Sequence, residues 1–127
     1  MGDPSGLDLQ IIIASGLRDI HRAVLGFATA LASAVSDVKV IVFLTMEGAV
    51  WADENEGNTV QVEGFETISK YISLLQEANI QIEACSSCIK NFCPAMKKED
   101  GKMREGIILS GLSTAAIRTS EVRTVVF

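Results

Sequence analysis

The order of apolar and polar residues along the chain predicts strands that alternate with helices. Residues 7–15 are apolar and β-branched over about one strand length, and the continuous apolar run at 38–45 is typical of a central strand in a parallel sheet. Between these runs, residues 17–36 carry apolar side chains at every third or fourth position, which predicts a helix. The residues of that stripe are Ile20, Val24, Phe27, Leu31 and Val35.

The middle of the chain repeats this order. A segment rich in Gly, Asn and acidic residues, 46–64, predicts a long loop. The next segment, 65–78, predicts a helix, and Asn79 follows it where a left-handed C-terminal cap is expected. Its apolar stripe consists of Phe65, Ile68, Ile72 and Leu75. A short strand at 80–85 then ends on a cysteine.

The last third of the chain predicts a fourth strand, a short helix and a fifth strand. After the polar segment 97–106, these elements cover 107–111, 112–120 and 122–127. Strands that alternate with helices indicate a small α/β domain with a mostly parallel five-stranded sheet. No repeat, linker or low-complexity tract divides the chain, so residues 1–127 are expected to form a single domain, with 1–6 as a flexible start.

The composition of the chain argues against several classes of binding partner. Apolar residues make up 48% of the chain and the mean hydropathy is +0.31, which fits a sheet buried on both faces and a subunit interface. The net charge of −5 argues against nucleic acid and against anionic membrane surfaces, because both are bound by clustered Lys and Arg. No apolar run approaches the ~20 residues that span a bilayer, and the N-terminal residues lack the cationic region of a secretion signal. A reducing cytoplasm is therefore the expected location.

All three cysteines lie within nine positions, at Cys85, Cys88 and Cys93. Cys85 is the last residue of its predicted strand, and chemistry in parallel sheets gathers at the carboxyl ends of strands. Ser86 and Ser87 are predicted to cap a following helix, whose N-terminal N–H groups would favour the reactive thiolate form of the cysteine. The alternative interpretation of Cys85 is a buried, inert thiol that packs as a small apolar side chain.

Three kinds of chemistry remain open for this cluster. A metal site has only three sulfurs here, whereas structural zinc uses four ligands, and the single histidine, His21, lies on the first predicted helix. The C-x-x-C spacing of Cys85 and Cys88 also fits a redox dithiol. A thiolate that carries a transferable group is the third possibility. Phosphate-binding loops and nucleophile elbows are absent from the sequence, so neither nucleotide binding nor serine hydrolysis is expected.

Several segments together resemble the DsrE/DsrF/TusD-like family of small sulfur-relay proteins. The resemblance rests on ASGLRDIHRAVLGFATA (14–30), VIVFLTMEGAVWA (40–52), LLQEANIQIEAC (74–85) and the closing segment REGIILSGLSTAAIRTSEVRTVVF (104–127). Their order and spacing cover nearly the whole chain from Leu7 onward.

The resemblance implies a three-layer α/β sandwich with helices on both faces and a trimeric or hexameric homo-oligomer. It also implies a strand-end cysteine, here Cys85, that holds sulfane sulfur as a persulfide without a cofactor or a metal. Sulfur donor and acceptor proteins would be the partners. Cys88 and Cys93 are additions to the simplest family pattern: Cys88 is predicted to be a resolving or second relay thiol, and Cys93 an auxiliary.

A carrier also needs a pocket that shields the persulfide from small thiols. Val50, Trp51 and Phe92 are candidates for its apolar wall, although Trp51 fits core or interface packing equally well. The acidic residues Asp53, Glu54 and Glu56 are expected in a solvated loop, the alternative being a metal site or a surface that docks a partner. The leading prediction is thus a cytoplasmic sulfur carrier or sulfurtransferase; the alternatives are a thiol–disulfide redox protein and a non-catalytic metal- or ligand-binding oligomer.

Overall fold

Five short strands form one sheet in which every neighbouring pair is parallel. The computed structural model describes residues 6–127, so the predicted flexible start falls almost entirely outside the described residues. The strands are β1 (Leu9–Ile13), β2 (Val40–Leu44), β3 (Gln81–Cys85), β4 (Ile108–Ser110) and β5 (Arg123–Val126). Their order across the sheet is β4-β3-β2-β1-β5. The predicted five-stranded α/β fold is confirmed.

Four α-helices connect the strands, and side-chain caps define where the first two of them begin. They are α1 (Ile20–Val35), α2 (Ile68–Glu77), α3 (Ser86–Phe92) and α4 (Leu112–Glu121). The carboxylate of Asp19 accepts a hydrogen bond from the Arg22 N–H, and the hydroxyl of Thr67 accepts one from the Lys70 N–H. Each bond satisfies a donor that the first helical turn leaves unpaired. Two 3₁₀ helices, Met46–Ala52 and Pro94–Lys97, follow β2 and α3.

The order in which the chain visits the strands places helices on both faces of the sheet. From β1 to β4 the chain moves steadily towards one edge, and then returns across the sheet to β5. Because parallel crossovers are right-handed, the return places α4 on the face opposite α1 and α2. The alternation within β1 agrees: Ile13 packs beside Gly26 of α1, whereas Gln10 donates hydrogen bonds to α4.

A buried polar network connects helix α4 to the face of the sheet on which it packs. The guanidinium of Arg118 donates to the carboxylate of Glu83 at 3.0 and 3.2 Å and to the side-chain oxygen of Gln10 at 2.9 Å. The Gln10 amide in turn donates to the Ala115 carbonyl and to hydroxyls of Thr119 and Thr124. Every charge in the network therefore has a partner, which is the condition under which buried polar groups are tolerated.

Three sequence expectations about exposure are wrong. Val35 and Phe65 were predicted to belong to buried stripes, yet both are exposed, because α1 is ending at Val35 and α2 starts three residues after Phe65. Asp53 was expected in a solvated loop but is 2% exposed. It pairs with Met103 in an isolated antiparallel bridge and lies near the guanidinium of Arg104, which compensates its charge.

The segment after β2, predicted as loop, begins with a 3₁₀ helix that lies tightly against the end of β1. Trp51 is fully buried, and its indole N–H donates to the Ser15 carbonyl at 2.9 Å. Gly48 allows this approach, since a Cβ there would collide with the carbonyl oxygen of Ile13. The contact is backbone against backbone, so no side-chain rotation can relieve it. Gly48 thus fixes the segment that starts at Thr45 and Met46.

Replacing Gly48 with alanine tests that constraint. We expect Gly48→Ala to lower the free energy of unfolding by about 1–3 kcal/mol, the usual cost of overpacking a filled site. Gly111→Ala is the matched control, because a Cβ at Gly111 would meet its neighbours at ordinary contact distance. Urea unfolding followed by circular dichroism measures both. Equal stability of the two variants would contradict the proposed close contact.

Candidate functional site

Cys85 lies where β3 ends and α3 begins. It pairs with Ser110 of β4 as the last strand residue and is also the N-cap of α3. Its side chain is 1% exposed. Ser86 and Ser87, predicted as caps, are instead the first two residues of the helix, and no side-chain cap bond is made. The strand turns directly into the helix, so the cysteine itself occupies the capping position.

Cys88 lies one helical turn further along α3 and is 9% exposed. Its Sγ lies 3.4 Å from the hydroxyl of Thr45, which follows β2, the strand next to β3. The Sδ of Met46 lies 4.0 Å from the same sulfur. Met46 is 54% exposed and has a left-handed backbone with φ of 49°. Cys88 is therefore held between the protein interior and a methionine at the surface.

The surroundings of Cys85 favour its ionised form in spite of burial. Burial raises the pKa of this thiol, since a charged group loses solvation. Hydrogen bonds to the sulfur from the Cys88 N–H, the Cys88 thiol, the Ser87 N–H and the Thr45 hydroxyl act in the opposite direction and outweigh it. The net pKa of Cys85 lies below its ordinary value, which favours the reactive thiolate form of this cysteine.

Cys93 has a different environment. Its side chain is fully buried, and its N–H donates to the Ile89 carbonyl where α3 ends. Burial raises the pKa of Cys93, and the carboxylates of Asp53 and Glu56 add to the increase. No hydrogen bond joins it to Cys85 or Cys88 among the described residues. The structure thus brings Cys85 and Cys88 together at the start of α3. Cys93, the third predicted site cysteine, differs from Cys85 in having a raised pKa.

A common metal site does not form from the thiol cluster. Within residues 6–127, no three His, Cys, Asp or Glu side chains converge on a position where they could hold one ion. All three cysteines are free thiols. His21 is exposed on α1, as expected for an ordinary surface histidine.

Other residues near this edge take structural roles. Glu47 accepts two hydrogen bonds from the Arg18 guanidinium, at 2.7 and 2.8 Å, so its carboxylate has a cationic partner. Val50 and Trp51 belong to the buried core, so the structure supports the interpretation of Trp51 as a core residue. Phe92 is partly buried against that core. None of the helices described here has the length and apolar character needed to cross a bilayer.

Sequence reasoning missed Thr45 and Met46. Their signal was available: β2 ends at Leu44, and the carboxyl ends of adjacent parallel strands lie side by side. What the sequence did not contain was the order of the strands, which places β2 next to β3. The resulting site has a thiol with a lowered pKa, a second thiol at the same helix start and a hydroxyl 3.4 Å from the second sulfur. Such a group can accept sulfane sulfur or close a disulfide.

Known proteins share this fold at low sequence identity. The crystal structure of the YchN protein from E. coli superimposes with a TM-score of 0.76 and 13% identity, over 95% of this chain and 99% of that one. The conserved protein of unknown function BT1422 from Bacteroides thetaiotaomicron gives a TM-score of 0.62 and 18% identity over the full length of both chains. No curated protein matches the sequence significantly.

The model of the DsrE/DsrF-like family, a family generally related to sulfur relay, matches residues 9–127. That range includes all five strands and the whole Cys85–Cys88 site. The resemblance noted in the sequence is thereby confirmed, and the chain belongs to the DsrE/DsrF-like family.

Proposed function

We propose that the protein is a sulfur carrier that accepts sulfane sulfur on Cys85 as a persulfide and passes it on. The observation that carries this proposal is a thiol that is almost wholly buried and yet has a lowered pKa. Burial alone would raise the pKa, so hydrogen-bond donors around the sulfur must oppose it. Family membership supports the same chemistry in general terms.

Both properties match what a carrier needs. A thiolate is required to attack the sulfane sulfur of a donor, and the donors around Cys85 supply it at neutral pH. The covered position then slows the approach of small thiols to the bound sulfur without preventing it, so that an excess of a small persulfide can still load the cysteine. The proposed partners are therefore proteins that reach the carboxyl edge of the sheet, one donating sulfur and one accepting it. The proposed location is the cytoplasm, where the thiols stay reduced.

A second candidate function is thiol–disulfide exchange by Cys85 and Cys88. The observation that favours it is the placement of both thiols at the start of α3, where the Cys88 thiol is among the groups that lower the pKa of Cys85. In that function the pair would cycle between dithiol and disulfide with a protein substrate and would never hold an extra sulfur.

Mass spectrometry of Cys85 variants separates the two candidates. After incubation with glutathione persulfide at neutral pH, the carrier proposal expects Cys88→Ser to gain one sulfur on Cys85 and the double variant Cys85→Ser/Cys88→Ser to gain none. Adding Cys93→Ala to Cys88→Ser should leave the uptake of sulfur unchanged, because Cys93 lies outside the pair. Equal sulfur uptake by Cys88→Ser and the double variant would overturn the carrier proposal.

We also propose that the chain forms a homo-oligomer through an apolar surface on the α4 side. Large apolar side chains are exposed on α4 and on the edge strands: Ile108, Leu109, Leu112, Ile117, Val125 and Val126. Large apolar side chains exposed in such number on one helix and the two edge strands are typical of a subunit interface.

Sedimentation equilibrium tests the assembly. The parent chain should give an integral multiple of the 13.6 kDa monomer mass, and Leu112→Asp combined with Ile117→Lys should shift the distribution towards the monomer. Exposed Leu25→Asp on α1, on the opposite face, is the matched control and should leave the mass unchanged. A parent chain that sediments as a monomer would contradict the proposed interface.

A further inference from the structure

We propose that Cys88 is an internal acceptor for the sulfur bound at Cys85, so that this chain releases sulfane sulfur as sulfide and closes a Cys85–Cys88 disulfide. This inference rests on the proposed carrier function and adds the chemical fate of the sulfur. It also assigns a role to the second thiol, which a carrier with one cysteine does not need. The reaction class is persulfide reduction by an adjacent thiol.

The first support is the placement of the two sulfurs. Cys85 is the N-cap of α3 and Cys88 is its third residue, so both side chains meet at the same helical end. The hydroxyl of Thr45 lies 3.4 Å from the Cys88 sulfur, and this hydroxyl and the N–H and thiol of Cys88 are among the groups that lower the pKa of Cys85. The C-x-x-C spacing at a helix start brings the two residues within the separation that a disulfide bridges.

The second support is the burial of the pair. With Cys85 1% exposed, a thiol in solution has little access to a persulfide there, whereas Cys88 lies at the same end of α3, three residues further along. Reactions between groups held side by side proceed as if one partner were present at ~10⁵ M or more when the alignment is good. Internal attack therefore outruns external attack unless a partner protein displaces the cover. Met46, close to the Cys88 sulfur and half exposed, is part of that cover.

The step balances without any further reagent. The Cys85 persulfide anion has an inner Sγ and an outer sulfur. The sulfur of Cys88 attacks the inner Sγ, a new bond forms between the two cysteine sulfurs, and the bond to the outer sulfur breaks. The outer sulfur leaves with two electrons and takes the Cys88 proton as HS⁻. Two thiol sulfurs are oxidised to a disulfide, and one sulfane sulfur is reduced to sulfide. A dithiol reductant would restore the pair for the next cycle.

Thr45 is a positioning residue for this step. Before sulfur is bound, its hydroxyl helps to stabilise the Cys85 thiolate. When Cys85 carries sulfur, its Sγ is no longer an anion, and the same hydroxyl, 3.4 Å from the Cys88 sulfur, can donate to Cys88 instead. A donor at that position favours the thiolate of Cys88, which is the attacking species. The Thr45 hydroxyl thus stabilises the thiolate of Cys85 before sulfur is bound and the thiolate of Cys88 afterwards.

A single-turnover experiment tests the inference. The reduced protein is loaded anaerobically with glutathione persulfide and desalted at once, and sulfide release and intact mass are then followed in time. The parent chain should release one sulfide per chain and end two hydrogens lighter than the dithiol, with the new bond mapped to Cys85 and Cys88. Cys88→Ser should retain the added sulfur on Cys85, and its sulfide release should be slower by tenfold or more, consistent with the loss of the internal attack.

Two further variants examine Thr45. Thr45→Val should slow sulfide release from the loaded protein several-fold, and Thr45→Ser, which restores a hydroxyl, should recover the parent rate. A purely structural role would not distinguish these two variants at matched stability.

The outcomes separate this inference from the carrier proposal. If the parent chain and Cys88→Ser hold the sulfur equally long, the inference is overturned while the carrier proposal stands. If neither variant gains sulfur, both fail. A disulfide that forms in the parent without any release of sulfide also overturns the inference, and would instead favour simple thiol–disulfide exchange.

Discussion

The chemistry of this protein depends on the hydrogen-bond donors that surround the sulfur of Cys85 in a buried place. Burial raises the pKa of the thiol, and without donors the cysteine would be an inert apolar side chain. Two backbone N–H groups come from the start of α3, while the Cys88 thiol and the Thr45 hydroxyl supply the rest. The sulfur of Cys85 is therefore shielded from water and surrounded by hydrogen-bond donors at the same place. This combination favours a thiolate at a position to which small thiols have little access.

The fold explains how these donors come to one point. β2 and β3 are adjacent and parallel, so Thr45, just after one strand, lies beside Cys85, which ends the other. The 3₁₀ helix that follows Thr45 is held against the end of β1 because Gly48 has no side chain. On the α4 face of the sheet, Glu83, which lies two residues before the cysteine in β3, is paired with Arg118 of α4. The reactive group is thus attached to the rigid part of the molecule.

The sequence was sufficient to predict the architecture and the position of Cys85 at the end of a strand. Apolar runs and helical periodicity identified the five strands along the chain, and Asn79 adopts the expected left-handed conformation with φ of 62°. The local pattern of apolar and polar residues could not predict contacts between segments that are far apart in the chain. The spacing of Cys93 in the chain suggested one cluster of thiols, but α3 carries Cys93 to a buried position near Asp53. The role of Thr45 required the order of strands, which no local pattern contains.

The most direct test of this account is the pKa of Cys85 itself. In Cys88→Ser/Cys93→Ala, Cys85 is the only thiol, and serine at position 88 retains a hydroxyl donor. Titration of the ultraviolet absorbance of the thiolate should give a midpoint for the folded protein below that of the same variant unfolded in urea, because the remaining donors favour the anion. A folded midpoint at or above the unfolded one would contradict the account, since the burial of Cys85 would then have outweighed its hydrogen bonds.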